Sequence, residues 1–256
     1  MSGSSGDGST SIPHVVFVAA SADTFTARAV EALARIPRDL PPWALIGGVA
    51  VAVNLSGFHR TTGDLDAVSL DGEAAIALLV ASGGTRAGDS VMLTADDSSV
   101  TFDIIDVSEG SPDHGPFLAH RFALDTAVPR RIGVSIGAAQ PAMSVVVLVA
   151  TPAAVVTMKL HAIDGRRAAR PDKRSGDLYD IIRLVGAFGP AQLAVDLRTA
   201  ASPVLLASTQ RWCHEYFVTE ATRSLRLLKI DSRSVVSDVD RVDIGLVAEF
   251  SSLLAE

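Results

Sequence analysis

The rhythm of apolar and polar positions changes near residue 151 of this chain. Before that point, short apolar runs are separated by Gly, Pro, Asp and Ser clusters, which predicts strands with intervening helices. After it, apolar residues recur at three- and four-residue spacing, which predicts helices almost to the end. Residues 14–20 read as a short strand or a loop lead-in. Residues 21–35 read as a helix with N-cap candidates Ser21 and Asp23, and with Phe25, Val30, Leu33 and Ala34 at helical spacing. A proline-rich stretch at 37–42 breaks that helix and feeds a strand over 43–46. Residues 49–55 form a short apolar helix, 65–70 a strand and 72–81 a helix. Strands over 90–94 and 99–107 flank a turn at 95–98, a polar loop follows at 108–115, and 130–136 and 143–149 are further strands. Thr151 caps and Pro152 opens a helix that continues through 163. Helical spacing then dominates to residue 256, with breaks near 170–171, 186–190 and 231–232.

The fold class expected from this order is α/β (α+β): a mixed-sheet core over 13–150 followed by a mostly helical lobe over 151–256. A flexible polar tail, beginning MSGSSGDGSTS, is expected over residues 1–12. The halves form either one compact unit or two lobes around a cleft.

Composition narrows the possibilities. With 256 residues and 48% apolar content, the chain is long enough for a proper core and is not of disordered type. The longest apolar runs, 43–53 and 145–156, are interrupted by Gly47-Gly48 and Thr151-Pro152, so no membrane span or membrane partner is expected. The N-terminus lacks the basic region of a signal peptide. A single cysteine, Cys213, excludes an internal disulfide framework and a cysteine-based zinc site, and the six histidines show no zinc-binding spacing. These features favour the cytoplasm. The net charge of −7 argues against coating nucleic acid by bulk electrostatics. Between Lys159 and Arg183, however, Lys159, Arg166, Arg167, Arg170, Lys173, Arg174 and Arg183 outnumber the aspartates. Such local basicity suits a phosphate-bearing substrate.

The densest chemistry lies in residues 45–69, LIGGVAVAVNLSGFHRTTGDLDAVS. Gly47-Gly48 joins a buried strand to a helix, and missing side chains there let a phosphate approach the backbone N–H groups at the helix start. Asp64 and Asp66 sit at a strand entrance and alternate onto one face, where their mutual repulsion is best relieved by a hard divalent cation. Together these features indicate an enzyme that handles nucleoside triphosphates. Two-metal phosphoryl chemistry needs carboxylates that bridge ions ~3.5–4 Å apart, and hence a third carboxylate from a neighbouring strand. Asp103 is the better candidate, because it lies among apolar residues where an unpaired charge is costly; Asp106 is the rival nearer the strand end. Arg60 and Thr62 precede the acidic pair, and Arg60 either clamps a phosphate or holds the acidic strand. In the second half, Lys159 falls within an apolar run, where its role would be to neutralise triphosphate charge. Asp177 and Asp180 share a helix face by their spacing.

These residues resemble a known signature. Leu45-Ile-Gly47-Gly48-x-Ala50 followed by Arg60-x-Thr62-x-Asp64-Leu65-Asp66 is similar to that of the DNA polymerase β-like nucleotidyltransferase superfamily. Met158-Lys159-Leu160-x-Ala162 with Arg166 or Arg167, then Asp177-Leu-Tyr-Asp180-Ile-x-x-Leu184, resembles the AbiEii/MenT group of toxin components from bacterial toxin–antitoxin systems. The resemblance covers roughly residues 43–185. It implies a nucleotidyltransferase core and helical lobe that bind an NTP and Mg²⁺ between them. It also implies transfer of a nucleotide, often a pyrimidine one, to the 3′ end of tRNA, with a cognate antitoxin as partner. By position, Gly47 and Gly48 would cradle the triphosphate, Asp64 and Asp66 would ligate magnesium, and Lys159 would contact phosphate. Asp180 or Asp177 would belong to the second-lobe motif. Where the group commonly reads Lys-Asp, this chain has Gly176 before Asp177, and the nearest cations are Lys173 and Arg174.

Two other classes remain open from sequence. One is a nucleotidyltransferase that modifies a small molecule, such as an aminoglycoside, or a protein hydroxyl. The other is a non-catalytic nucleotide-binding module, against which the intact acidic pair weighs.

Overall fold

The computed structural model describes residues 11–57, 62–95, 98–110, 114–137, 143–165, 171–230 and 241–256. The polar tail up to residue 10, Arg60, Arg166, Arg167, Arg170 and the expected break at 231–232 lie outside the described residues, as do residues 96–97 of the turn at 95–98 and residues 111–113 of the polar loop.

The apolar runs of the first half pair into one mixed sheet. Its strands are β1 (His14–Ala19), β2 (Trp43–Ile46), β3 (Asp64–Ser69), β4 (Thr85–Ala87), β5 (Ser90–Ala95), β6 (Ser98–Asp106), β7 (Val128–Ile136) and β8 (Met143–Val149). They lie in the order β1-β7-β8-β2-β3-β6-β5-β4. β3 pairs antiparallel with β2 and parallel with β6, so the centre of the sheet brings three separate chain segments side by side. Leu65, Ala67 and Val68 of β3 are buried, whereas Asp64 and Asp66 keep partial exposure, as expected where a strand leaves the core.

Helices connect and cover these strands. α1 (Phe25–Arg35) packs on β7 and β8, and α2 (Gly47–Asn54) follows β2 with no intervening loop. α3 (Gly72–Ala81) is capped by Asp71, whose carboxylate accepts from Ala74 N–H at 2.9 Å. α4 (Gly115–Asp125) rests against β2 and β3. α5 (Pro152–Gly165) is buried almost all round, which explains why its apolar positions show no single stripe. It packs against α2 and α4 and also against α6 (Pro171–Phe188). α7 (Pro190–Ala200), α8 (Pro203–His214), α9 (Ala221–Ile230) and α10 (Arg241–Leu253) complete the second half. A π-helical turn, Glu215–Thr219, joins α8 to α9. Pro171, Pro190 and Pro203 each open a helix, where the missing N–H costs nothing. Among the described residues no single helix is long and apolar enough to cross a membrane.

The fold is therefore the expected mixed α/β class, with local differences. The cap of α1 is Thr24, whose hydroxyl accepts from Ala27 N–H at 3.4 Å, rather than Ser21 or Asp23. The glycine pair forms the first turn of α2 instead of preceding it. α4 and β4 were not expected. α4 buries Ala119, Phe122 and Ala123 at helical spacing, while β4 is three exposed residues with no pattern to read.

One buried titratable group links three of these helices. His161 of α5 is 5% exposed, Gly115 of α4 lies against its ring, and its Nε2 is 3.2 Å from Ser208 Oγ of α8. Ser208 donates to Leu205 O at 3.0 Å, which leaves its oxygen to accept from the imidazole N–H. Burial pushes the His161 pKa down from 6.5 to about 4; Asp164 opposes this, and His120, Arg211 and His114 reinforce it. The unfolded chain thus takes up a proton below pH 6.5 that the folded chain refuses. The stability that neutral His161 contributes is complete above pH 6.5 and is lost as pH falls toward 4. We expect wild type to lose ~2–3 kcal/mol more than His161→Gln between about pH 7 and about pH 4.5 in chemical denaturation. Equal losses would contradict this assignment.

Candidate active site

The site begins with strand register. β3 and β6 run parallel with Asp66 opposite Asp103, so both side chains leave the same face of the sheet. Asp64, two residues before Asp66, joins them there. The three carboxylates offer oxygens that all lie within 4.8 Å of one another. Each is partly exposed, so the cluster opens outward.

Neighbours orient the carboxylates. Ser90 Oγ donates to Asp103 Oδ1 at 2.5 Å, and Thr62 Oγ1 donates to Asp64 Oδ1 at 3.4 Å. Asp66 is hemmed in by Gly47, where an added Cβ would stand 1.9 Å from Asp66 Oδ2. Gly47 also has φ of +66°, in the left-handed region that favours glycine. Two independent constraints therefore require glycine at this position. Gly48 follows in the same helical turn. Ile46, at the N-cap of α2, makes no side-chain cap hydrogen bond among the described residues, and the first turn of α2 starts beside the acidic cluster.

Electrostatics mark Asp66 as the strained member. Burial and the negative charge of Asp64 raise its pKa from 3.8 to about 6, Asp103 adds to this, and Lys159 and Lys173 oppose it. A donor set of three mutually repelling carboxylates fits a hard divalent cation such as Mg²⁺, which takes oxygen ligands and relieves that repulsion.

The second-half residues meet in the helical interior. Lys159 Nζ on α5 lies 2.8 Å from Asp177 Oδ1 and 2.6 Å from Asp180 Oδ2 on α6. All three side chains are buried, and one ammonium serves two carboxylates. Asp177 and Asp180 thus come together onto Lys159, whose positive charge works against the raised pKa of Asp66.

Asp106, the rival third carboxylate, does other work. It accepts from Gly72 N–H at 2.8 Å and from Ser108 N–H at 2.7 Å, which fastens the start of α3 to the end of β6. Ser90 was missed by sequence reasoning, because only the β5–β6 register sets it opposite Asp103. Thr62 is largely buried, with its hydroxyl turned to Asp64 Oδ1.

No protein-family model matches the chain, and no curated protein matches it by sequence. Among solved structures it is similar to an antigenic nucleotidyltransferase-like protein from Paracoccidioides brasiliensis, at 16% identity and a TM-score of 0.41 over 72% of this chain and 84% of that one. It is also similar to ANT(2")-Ia, solved in complex with adenylyl-2"-tobramycin, at 14% identity and a TM-score of 0.38 over 72% of this chain and 95% of that one.

Two expectations follow from the geometry. Asp66 is stabilising when protonated, below pH 3.8, and its contribution is lost as pH rises through about 6. In chelator at neutral pH, Asp66→Asn should therefore be more stable than wild type by roughly 2–3 kcal/mol, a rise of about 5–10 °C in Tm. That advantage should shrink toward pH 4, and added Mg²⁺ should raise the Tm of wild type only. A variant less stable than wild type at neutral pH would contradict the account. Gly47→Ala should lose Mg²⁺-dependent stabilisation, whereas Asp106→Ala should lose about 1–2 kcal/mol of stability and keep it. Thermal melts with and without the cation separate these outcomes.

Proposed function

We propose that this protein is a divalent-cation-dependent nucleotidyltransferase that moves a nucleoside monophosphate from an NTP to an acceptor hydroxyl. The observation that carries the reading is the convergence of Asp64, Asp66 and Asp103 beside the Gly47 entry of α2. The Lys159–Asp177–Asp180 cluster, far away in sequence, adds support by lying within electrostatic reach of Asp66.

In this reading the acceptor oxygen forms a bond to the α-phosphorus, the bond from that phosphorus to the bridging oxygen breaks, and pyrophosphate leaves. A pair of Mg²⁺ ions, held by Asp64, Asp66 and Asp103, would supply Lewis-acid polarisation of the phosphoryl group and of the attacking hydroxyl. Asp103, oriented by Ser90, is assigned the acceptor proton. The first-turn amides of α2 would receive phosphate oxygens, and the absence of side chains at Gly47 and Gly48 keeps that approach clear. Arg60 is assigned to phosphate on the motif alone.

The acceptor is assigned from the resemblance of the ordered motifs, Gly47-Gly48, Asp64-x-Asp66, Lys159 and Asp177-x-x-Asp180, to the AbiEii/MenT group. On that basis we take the substrate to be the 3′ end of tRNA and the donor to be an NTP, with pyrimidine nucleotides the first to test. The protein then acts as a cytoplasmic toxin that blocks translation and is neutralised by a cognate antitoxin protein.

Incubating the purified protein with each labelled NTP, Mg²⁺ and total tRNA tests the proposal. Label should pass to tRNA with at least one nucleotide, and Asp64→Ala should reduce this to background. Label on a small molecule or protein, and none on tRNA, would keep the chemistry and remove the assigned acceptor. No transfer to any acceptor, with wild type and Asp64→Ala alike, would overturn the proposal.

A further inference from the structure

The exposed face of α9 carries a single sign of charge. Among its described residues, Thr222, Arg223, Arg226 and Lys229 are exposed, whereas Ser224 and Leu228 are buried on the opposite side of the helix. Arg226 and Lys229 form no ion pair among the described residues. Other surface arginines are answered by a carboxylate close by: Arg35 by Glu31, Arg86 by Glu73 and Arg121 by Asp125.

The basic surface continues past the π-helical turn. Glu220 accepts from Arg223 at 3.1 Å and from Arg174 of α6 at 3.4 Å, so one carboxylate serves two guanidinia. Arg174 is 2% exposed, and its Nε has no hydrogen-bond partner among the described residues, which leaves a buried positive charge incompletely compensated. Its guanidinium lies 5.3 Å over the Tyr216 ring, and Tyr216 stacks on Trp212 with centroids 6.1 Å apart. The Arg211 guanidinium lies 4.3 Å over the Trp212 ring. These contacts run without a break from Arg223 to Arg211 and set the end of α8 beside α9. Arg211 is exposed and Trp212 is half-buried, so this end of the patch is a guanidinium layered on an aromatic ring.

Unpaired cations in a row beside such a stack suit a phosphate backbone and its bases. From Arg223 to Lys229 the helix rises about 9 Å, the reach of two to three nucleotides of one strand. An acidic polypeptide would answer the cations and leave the stack unused. We propose that α9 and the end of α8 bind the phosphate backbone of the nucleic-acid acceptor, with Arg226 and Lys229 on phosphates and the Arg211–Trp212 stack beside a base. On a chain of net charge −7, a patch of this kind holds the strand to one face instead of spreading it over the surface. The proposal rests on the reading of the acceptor as RNA.

Fluorescence anisotropy of labelled total tRNA on the full chain, in chelator and without NTP, tests the surface apart from the chemistry. Arg226→Gln combined with Lys229→Gln should weaken binding about tenfold and make the slope of log affinity against log salt shallower by about 1–2. Arg35→Gln, on α1, should bind within about twofold of wild type. All these side chains are exposed, so the variants should melt as wild type does. Wild type that binds no tRNA would overturn the proposal, as would a double variant with unchanged affinity and salt slope. Poly-glutamate bound as tightly as tRNA, with the same loss in the double variant, would overturn the nucleic-acid assignment in favour of an acidic protein. Binding that behaves as expected, with no nucleotide transfer to tRNA when Mg²⁺ and NTP are added, leaves the surface standing and overturns only the reading of tRNA as acceptor.

Discussion

Asp66 and Asp103 face each other because β3 and β6 run parallel in register, and Asp64 is added because strand side chains alternate. Backbone pairing thus fixes three negative charges with oxygens inside 4.8 Å of one another. At an effective dielectric near 20, each such pair repels by on the order of 3 kcal/mol. The surroundings are arranged to hold this repulsion in place. Ser90 and Thr62 pin two of the carboxylates by hydrogen bonds, and Gly47 leaves just enough room for the third. A cluster held together against its own charge is poised for a cation, and the folded chain is less stable without one than it need be.

The Lys159 cluster solves a different problem. A buried ammonium between two carboxylates is a poor way to gain stability, since apolar residues of similar volume usually do as well. Losing one partner is costly, however, so the trio fixes the relation of α5 to α6 with little tolerance for error. α5 is buried along nearly its whole length and touches α2, which starts at Gly47. The acidic site and the helical interior are therefore connected through packed elements.

Some of this was legible in the chain and some was not, for identifiable reasons. The alternation around Asp64 and Asp66, and the apolar neighbours of Asp103, are local patterns, and both strands follow from them. The spacing of Asp177 and Asp180 placed them on one helix face in the same way. Pairing is not local: nothing near Ser90 announces that β5 will set it against Asp103, and nothing near Lys159 shows that both aspartates will claim its charge. α4 carried a readable signal in Pro116 and its buried Ala119, Phe122 and Ala123, whereas β4 exists only through its pairing with β5. Thr24 replaced the expected caps because α1 starts later than its polar lead-in suggests.

The central claim is that the three carboxylates form one divalent-cation site, and Mn²⁺ titration followed by electron paramagnetic resonance tests it most directly. Wild type should remove the free-Mn²⁺ signal with saturable stoichiometry, and Mg²⁺ should compete. Asp64→Asn and Asp103→Asn should each leave the signal of free Mn²⁺. Wild type that leaves Mn²⁺ free, or asparagine variants that take it up as well as wild type does, would contradict the account.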